Sequence, residues 1–537
     1  MKKPELLLPA GTLDRLKTAI LYGADAVYCG TPDMSLRVKS GFTLEDVVEG
    51  VKFAHERGKK VYLTLNLFSH NKDIEKLPQF IETVKAVKPD GLIISDPGVF
   101  QFVKEHAPDL ELHISTQANV CSHLTVDFWH KQGASLVVMA REVSFEELAE
   151  IRKKCPDIKI ETFIHGSMCM TYSGRCLLSN FMAERGANQG SCAHSCRWGY
   201  KLKIKLKDNT EHEIEINEDN KDLFDFFLEE EIRPGELMPF EEDVQGSYIL
   251  NSKDLCLLPK LDEYIKIGLD SFKVEGRNKT EFYAGSVARV YRAAIDDYIK
   301  DPANWRAEDY MDEINAVANR GYTLAFHEGR LTNLAHDYES TGSTSFYEFA
   351  GKVVAWDGDD ILIEAKNRLA AGDVLEFLSP SLREPILLRI YEFNYSRDGK
   401  KWQTTDVVNA GVKPLIRIPA SAFHEIEKEK LQQLLPPLSL IRKEKALDES
   451  EKLKVESRQL SHQLEAGEVR EIKYENKRKK YFQALEVGDE KIAPRTARTG
   501  VDGCCGKGCN GCLIFWHDDK YAKAREILKT KKIGEML

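Results

Sequence analysis

Seven short apolar runs, each ending in a polar residue or glycine, recur about every 25 residues through the first third of the chain: ELLLPAG, DAVYCG, KVYLTLN, GLIISD, ELHISTQAN, LVVMAR and KIETFIHG. The intervals between them carry helical periodicity, as in TLDRLKTAILYG and in TLEDVVEGVKFAHERG, which closes on Gly58 as a C-cap. Strands that alternate with helices pair in parallel through crossovers. An eighth run, SFKVEGR (271–277), follows a long interruption, and TEFYAGSVARVYRAAIDDYI then supplies a closing helix. Residues 1–300 therefore read as a (β/α)8 barrel of the TIM type, an α/β fold. In that fold chemistry gathers where strands end and the loops to the helices begin. The polar residues at those places are Asn66, Asp96, Gln117, Asn119, Arg141, His165, Lys273, Glu275 and Arg277.

The interruption before the eighth run has two parts. Residues 166–200 form a loop with four cysteines and five glycines, and residues 201–250 alternate like β-hairpins before turning acidic in FDFFLEEEI. An insertion of this size in a compact domain is usually functional, and this one is expected to cap the barrel mouth. Beyond it, 301–344 read as a helical connector. Short strands separated by Asp-Gly and Gly-Asp turns mark 345–440 as a small β-barrel-like domain. Residues 441–480 are charged and poor in large apolar groups, hence a linker, and 481–537 form a Cys-rich metal-binding tail around CCGKGCNGC.

The amino terminus has only three consecutive leucines before Pro9, and no stretch approaches the ~18 apolar residues of a membrane span. A cytoplasmic location is expected, where thiols stay reduced. The 12 cysteines then read as metal ligands, catalytic groups or core residues before disulfides. A formal charge of −10 argues against a broad electropositive face, although KLKIKLK (201–207) and KRKK (477–480) are locally basic.

Cys169, Cys176, Cys192 and Cys196 are separated by six, fifteen and three residues inside the one glycine-rich loop. Four thiolates there suit an iron–sulfur cluster, and glycines let the backbone curl close to the sulfurs. Tetrahedral zinc and unligated thiols are the alternatives, since the close pair spacing typical of zinc occurs only between Cys192 and Cys196. Cys504, Cys505, Cys509 and Cys512, interleaved with glycines, form a second dense group for zinc or another cluster. Cys29, Cys121, Cys155 and Cys256 read as structural.

ETFIHGSMCMTYSGRCLLS (161–179) resembles the signature of the collagenase-like peptidase family U-32, and NQGSCAHSCRW, NSKDL and KVEGR look like further blocks of it. KPELLLPAGT, YGADAVYCG, SLRVK and SDPG resemble more narrowly the branch of that family that makes 5-hydroxyuridine at the tRNA wobble position. The likeness covers about residues 1–440 and stops short of the tail cysteines. It implies oxygen-independent hydroxylation of tRNA, ribosomal RNA or a quinone precursor, a [4Fe-4S] cluster on Cys169, Cys176, Cys192 and Cys196, and prephenate as co-substrate for the RNA-acting members.

A dicarboxylate such as prephenate needs cations, and arginine binds carboxylates through two parallel hydrogen bonds. Arg37, Arg141 and Arg277 are the candidates, each with a loop-tying salt bridge as its alternative; Asn66, Gln117 and Asn119 complete the substrate-binding set. Lys273 and Glu275, two apart on a strand, share a face and read as an ion pair or an acid–base pair. His165, just before the cysteine loop, is a candidate proton donor or a satisfied strand-end histidine. Hydrolysis is the competing activity, but neither His-Glu-x-x-His nor Gly-x-Ser-x-Gly is present, and a Cys169–His165 pair has no evident third member. A maturation factor with purely structural metal sites is the remaining alternative. The expected partners are tRNA or ribosomal RNA, contacted by the β-domain and by 201–207.

Overall fold

The computed structural model describes residues 2–30, 42–66, 69–169, 252–329, 343–424 and 426–447, with short pieces between 171 and 247 and at 335, 452, 455, 485–487 and 490–492. The chain divides into two compact units: Met1–Cys196, Ser252–Ala335 and Gly342–Leu460 form the first, and the remaining segments the second.

The first unit is built on eight parallel strands. They are β1 (Glu5–Ala10), β2 (Ala26–Gly30), β3 (Lys60–Leu65), β4 (Gly91–Ile94), β5 (Glu111–Ile114), β6 (Leu136–Val138), β7 (Lys159–Ser167) and β8 (Ser271–Val274). Each pairs with the next, and β8 pairs with both β7 and β1, which closes the barrel. The eight runs of the sequence are these eight strands.

Helices return the chain between strands, and small polar residues start them. Thr12 caps α1 (Leu13–Leu21), and Thr43 with Asp46 makes a capping box on α2 (Leu44–His55). Gly58 lies in the left-handed region at φ +65°, just past α2, as the sequence implies. Asp96, read from the sequence as a strand-end site residue, caps the helix Pro97–His106 instead, accepting from the backbone of Gly98 and Val99. The layer between strands and helices is the main apolar core.

One feature of β7 shapes the site. The strand runs on beyond the barrel, and its extension pairs antiparallel with Asp254–Cys256, placing Cys256 opposite His165. Tyr322–Thr323 then adds to Asp254–Cys256 in parallel. The sequence expectation of a helical connector before the second domain is thus only partly what forms: the helix Glu308–Asn315 is followed by a strand that returns to the barrel sheet.

Tyr347–Asp357 begins an eight-stranded antiparallel sheet that ends on Leu440–Glu444. Its apolar residues make a separate core around Phe377, Phe393 and Ile416. This sheet packs on the barrel's helices within the same unit. The buried Tyr22 hydroxyl, at the end of α1, donates to the Leu378 carbonyl and accepts from the Leu440 amide at 2.8 Å. Arg442 joins Glu313 and Glu376, each at 2.7 Å.

In the second unit the alternating segment forms antiparallel pairs, Lys203–Lys205 with Glu213–Glu215 and Phe226–Glu229 with Leu237–Phe240. Most of 441–480 and the tail cysteines lie outside the described residues. Among the described residues no helix is long and apolar enough to cross a membrane.

Candidate functional site at the barrel mouth

Branched aliphatic residues usually fill the inside of such a barrel. Here the inner apolar cluster is small, Leu7, Ala26, Tyr28, Tyr62 and Ile93, and charged groups occupy the rest. At the floor the Tyr62 hydroxyl lies 3.1 Å from both Glu5 carboxylate oxygens, and burial pushes the Glu5 carboxyl up. His113 hydrogen-bonds Glu111 at 3.3 Å and Lys159 pairs with the same carboxylate at 3.1 Å. Those contacts, the His113 bond foremost, hold Glu111 down at about 2.

One layer higher, Lys273 Nζ meets Glu161 Oε1 at 2.8 Å and Ser271 Oγ donates to Glu161 Oε2 at 2.6 Å. The ammonium also lies 4.5 Å from the Tyr28 ring. Both charged side chains are almost wholly buried. The expected pairing of Lys273 with Glu275 is therefore corrected: Lys273 takes Glu161, and Glu275 lies beside Arg141 at 3.4 Å. Glu161 lies opposite Ser271 in the parallel register of β7 and β8, which brings its carboxylate to Lys273; the register shift falls on β7, where Phe163 pairs with Lys273 and His165 with Val274. Glu161 was missed as an inward group, although it alternates with Phe163 along β7.

At the C-terminal rim the remaining residues converge. Arg277 Nη1 donates to Thr64 Oγ1 across the barrel at 3.0 Å, and Arg141 stacks 3.9 Å from the Phe163 ring centre. The Tyr28 hydroxyl donates to the Val274 carbonyl at 2.9 Å and reaches Glu275 at 3.5 Å. Asn66 Nδ2 donates to Ser115 Oγ at 3.4 Å, and the Gln117 amide donates to the same oxygen at 3.3 Å. Gly166 makes this convergence possible. It sits at φ +118°, and a Cβ there would come within 2.5 Å of the Glu275 carbonyl oxygen. The cavity behind Arg141, lined also by Phe163, Tyr264 and His327, is about 20 Å³, room for one water and no substrate.

His165 is buried on the other side of β7, within a ring of Tyr283, Tyr291 and Tyr322 whose centres lie 5.3–5.9 Å away. Tyr291 sits 3.4 Å from His165 Nδ1 and donates to the Ile164 carbonyl at 3.0 Å. Burial raises all three phenols well above their ordinary range. It also pushes Cys29 up to about 12 and Cys256 up to about 11, which keeps both thiols protonated and unreactive. Cys121 is exposed, and the buried Cys155 closes a helix.

Cys169 is exposed two residues past β7, and Cys196 is half-buried. Cys176, Cys192, Arg37, Cys504, Cys505, Cys509 and Cys512 lie outside the described residues. Among the described residues no three candidate ligands gather in a metal-binding arrangement, two of the four loop cysteines being outside that set. What the loop supplies is a sulfur-only donor set on a glycine-rich backbone, which suits an iron–sulfur centre chemically.

The family model for peptidase family U32 matches residues 11–336. Over 404 residues the chain is 40% identical to the tRNA hydroxylation protein P of Escherichia coli (strain K12), covering 71% of this chain and 87% of that protein. It is 34% identical over 448 residues to the tRNA hydroxylation protein P1 of Bacillus subtilis (strain 168), covering 83% and 96%. The 23S rRNA 5-hydroxycytidine C2501 synthase of Escherichia coli (strain K12) is 30% identical over 380 residues, which cover 70% of this chain and 52% of that one.

Proposed function

The chain belongs to peptidase family U32, and from that premise we propose that it is an oxygen-independent RNA hydroxylase, acting on the wobble uridine of tRNA with prephenate as co-substrate. The observation that carries this reading is the pair of buried guanidiniums, Arg141 and Arg277, at the mouth that also bears the start of the cysteine loop. Relatives named for tRNA and rRNA hydroxylation support it.

Replacing C5–H of uridine by C5–OH adds one oxygen and removes two electrons from the base, so in the absence of O2 a hydroxylated co-substrate must supply the oxygen and take up the electrons: its C–OH bond is broken and becomes C–H as the uridine C–H becomes C–OH. Prephenate is a dianion, and two arginines within one water-poor mouth match its carboxylates. Arg37 is a third proposed cation for it. On binding, Arg141 exchanges Glu275 for a donor carboxylate, and Glu275 becomes the base nearest the reacting carbon. His165, hydrogen-bonded to Tyr291, serves as a buried hydrogen-bonding group. Lys273, paired with Glu161, holds the layer beneath the site.

Cys169, Cys176, Cys192 and Cys196 would hold the [4Fe-4S] cluster, which when bound supplies a Lewis-acidic or electron-transferring centre. Cys504, Cys505, Cys509 and Cys512 would hold zinc or a second cluster. The proposed location is the cytoplasm, where tRNA and ribosomal RNA are the partners.

Nucleoside mass spectrometry of total tRNA and ribosomal RNA tests the reading, in cells with and without the gene and in cells complemented with Cys176→Ala. Loss of 5-hydroxyuridine or its derivatives from tRNA, restored by the wild type and not by the variant, is the expected result. A change confined to ribosomal RNA would move the substrate; no change in either, with peptide cleavage that survives iron chelation, would replace hydroxylation by hydrolysis.

A further inference from the structure

The barrel mouth has two chemically different halves. From β6 round to β8 it is charged, with Arg141, Glu275 and Arg277. From β3 to β5 it is largely uncharged: Asn66 follows β3, Ser95 follows β4, and Ser115, Gln117 and Asn119 follow β5, while the Asp96 carboxylate after β4 is taken up by the backbone of Gly98 and Val99. Arg277 touches Thr64, on β3 two residues before Asn66, so the halves meet at β3.

Two amides in the neutral half are incompletely used. Asn66 is 7% exposed, and its Oδ1 is buried without a hydrogen-bond partner while its Nδ2 serves Ser115. Asn119 has both side-chain amide atoms buried and unpartnered, on a backbone at φ +51° that non-glycine residues seldom adopt. Asparagine tolerates that conformation partly through local side-chain hydrogen bonds, and Asn119 makes none. Buried amide atoms left unpaired are costly, and a ligand that pairs them recovers the cost on binding.

The ligand's chemistry follows from what an amide lacks. A primary amide with both ends open asks for one donor and one acceptor side by side, whichever way its oxygen and nitrogen are assigned. Carboxylates present acceptors only. The N3–H and adjacent carbonyl of a uracil ring present both, without charge. We infer that the neutral arc, with Asn66 and Asn119 as its reading groups, is the nucleobase subsite, and that the anionic co-substrate is confined to the arginine side. The inference rests on the preceding reading that RNA is the substrate, and it adds which residues hold the base.

Binding distinguishes the two claims. The full-length chain, purified anaerobically, is titrated with anticodon stem-loops carrying either uridine or an abasic nucleotide at the wobble position, and separately with prephenate. Wild type is expected to prefer the uridine stem-loop by about tenfold or more, the scale of one well-made base contact. Asn66→Ala and Asn119→Ala should each lose most of that preference and leave prephenate affinity within about twofold, in line with a subsite that does not touch the donor. Two variants at separate positions guard against one failing to fold. Preference that survives in both variants overturns the inference, as does prephenate affinity falling in step with it. Failure of wild type to hydroxylate tRNA, with the uridine preference intact, would sink the proposed reaction and leave the subsite standing.

Discussion

Lys273 and Glu161 pair inside the barrel, where each depends on the other. Removing one partner of such a pair typically costs about 3–5 kcal/mol, because the remaining charge is buried unpaired. Lys273→Met should therefore lower the urea midpoint sharply, and adding Glu161→Gln should recover part of the loss. A smaller loss in the single variant would mean that water reaches the pair. Glu111 gives a pH signature. Its folded carboxyl sits at about 2 against an ordinary 4.5, so it stabilises the fold above 4.5 and that contribution disappears as pH falls from about 5 toward 2. Glu5, raised by burial, works in the opposite sense. Glu111→Gln should flatten the acid limb of a stability profile between pH 5 and 2.5; an unchanged limb would assign acid sensitivity elsewhere. At this scale the sequence identified Arg141, Glu275, Arg277 and Asn66 as rim residues. It did not identify Glu161 or Tyr28, because an inward side chain in mid-strand looks the same in sequence as an outward one until closure of the barrel fixes the parity.

The critical element is β7, which leaves the barrel, turns at Gly166 and carries the chain into the cysteine loop. Gly166→Ala would place a Cβ against the Glu275 backbone at a positive φ, a conformation costing on the order of 1–3 kcal/mol for other residues. The expected result is a destabilised chain in which Glu275 shifts from Arg141, so hydroxylation measured in purified protein falls further than the folded fraction does. Activity that simply follows the folded fraction would show that the rim tolerates the shift. The extension of β7 was not legible beforehand. Its partner Asp254–Cys256 is three residues long and lies about 90 residues away, and so short a strand has no periodicity to read.

For the molecule as a whole, the barrel and the antiparallel sheet are tied through Tyr22, whose hydroxyl both donates to and accepts from the second sheet. Tyr22→Phe leaves the Leu440 amide and the Leu378 carbonyl buried and unpaired, at a cost of about 1–3 kcal/mol per group. Calorimetry should show barrel and sheet unfolding together in wild type and the transition moving down in the variant; two separate transitions in wild type would mean that the domains are energetically independent. The division between what was legible in sequence and what was not follows the range of the interactions. Apolar periodicity, helix caps and turn residues act over a few neighbours, so the sequence by itself determined the eight strands, their crossovers and the all-β region. Which groups meet across the barrel depends on closure, on the register of β7 against β8 and on the extension of β7 beyond the barrel. Those long-range events alone decided that Lys273 pairs with Glu161, that Arg277 reaches Thr64, and that two asparagine amides are left waiting for a partner.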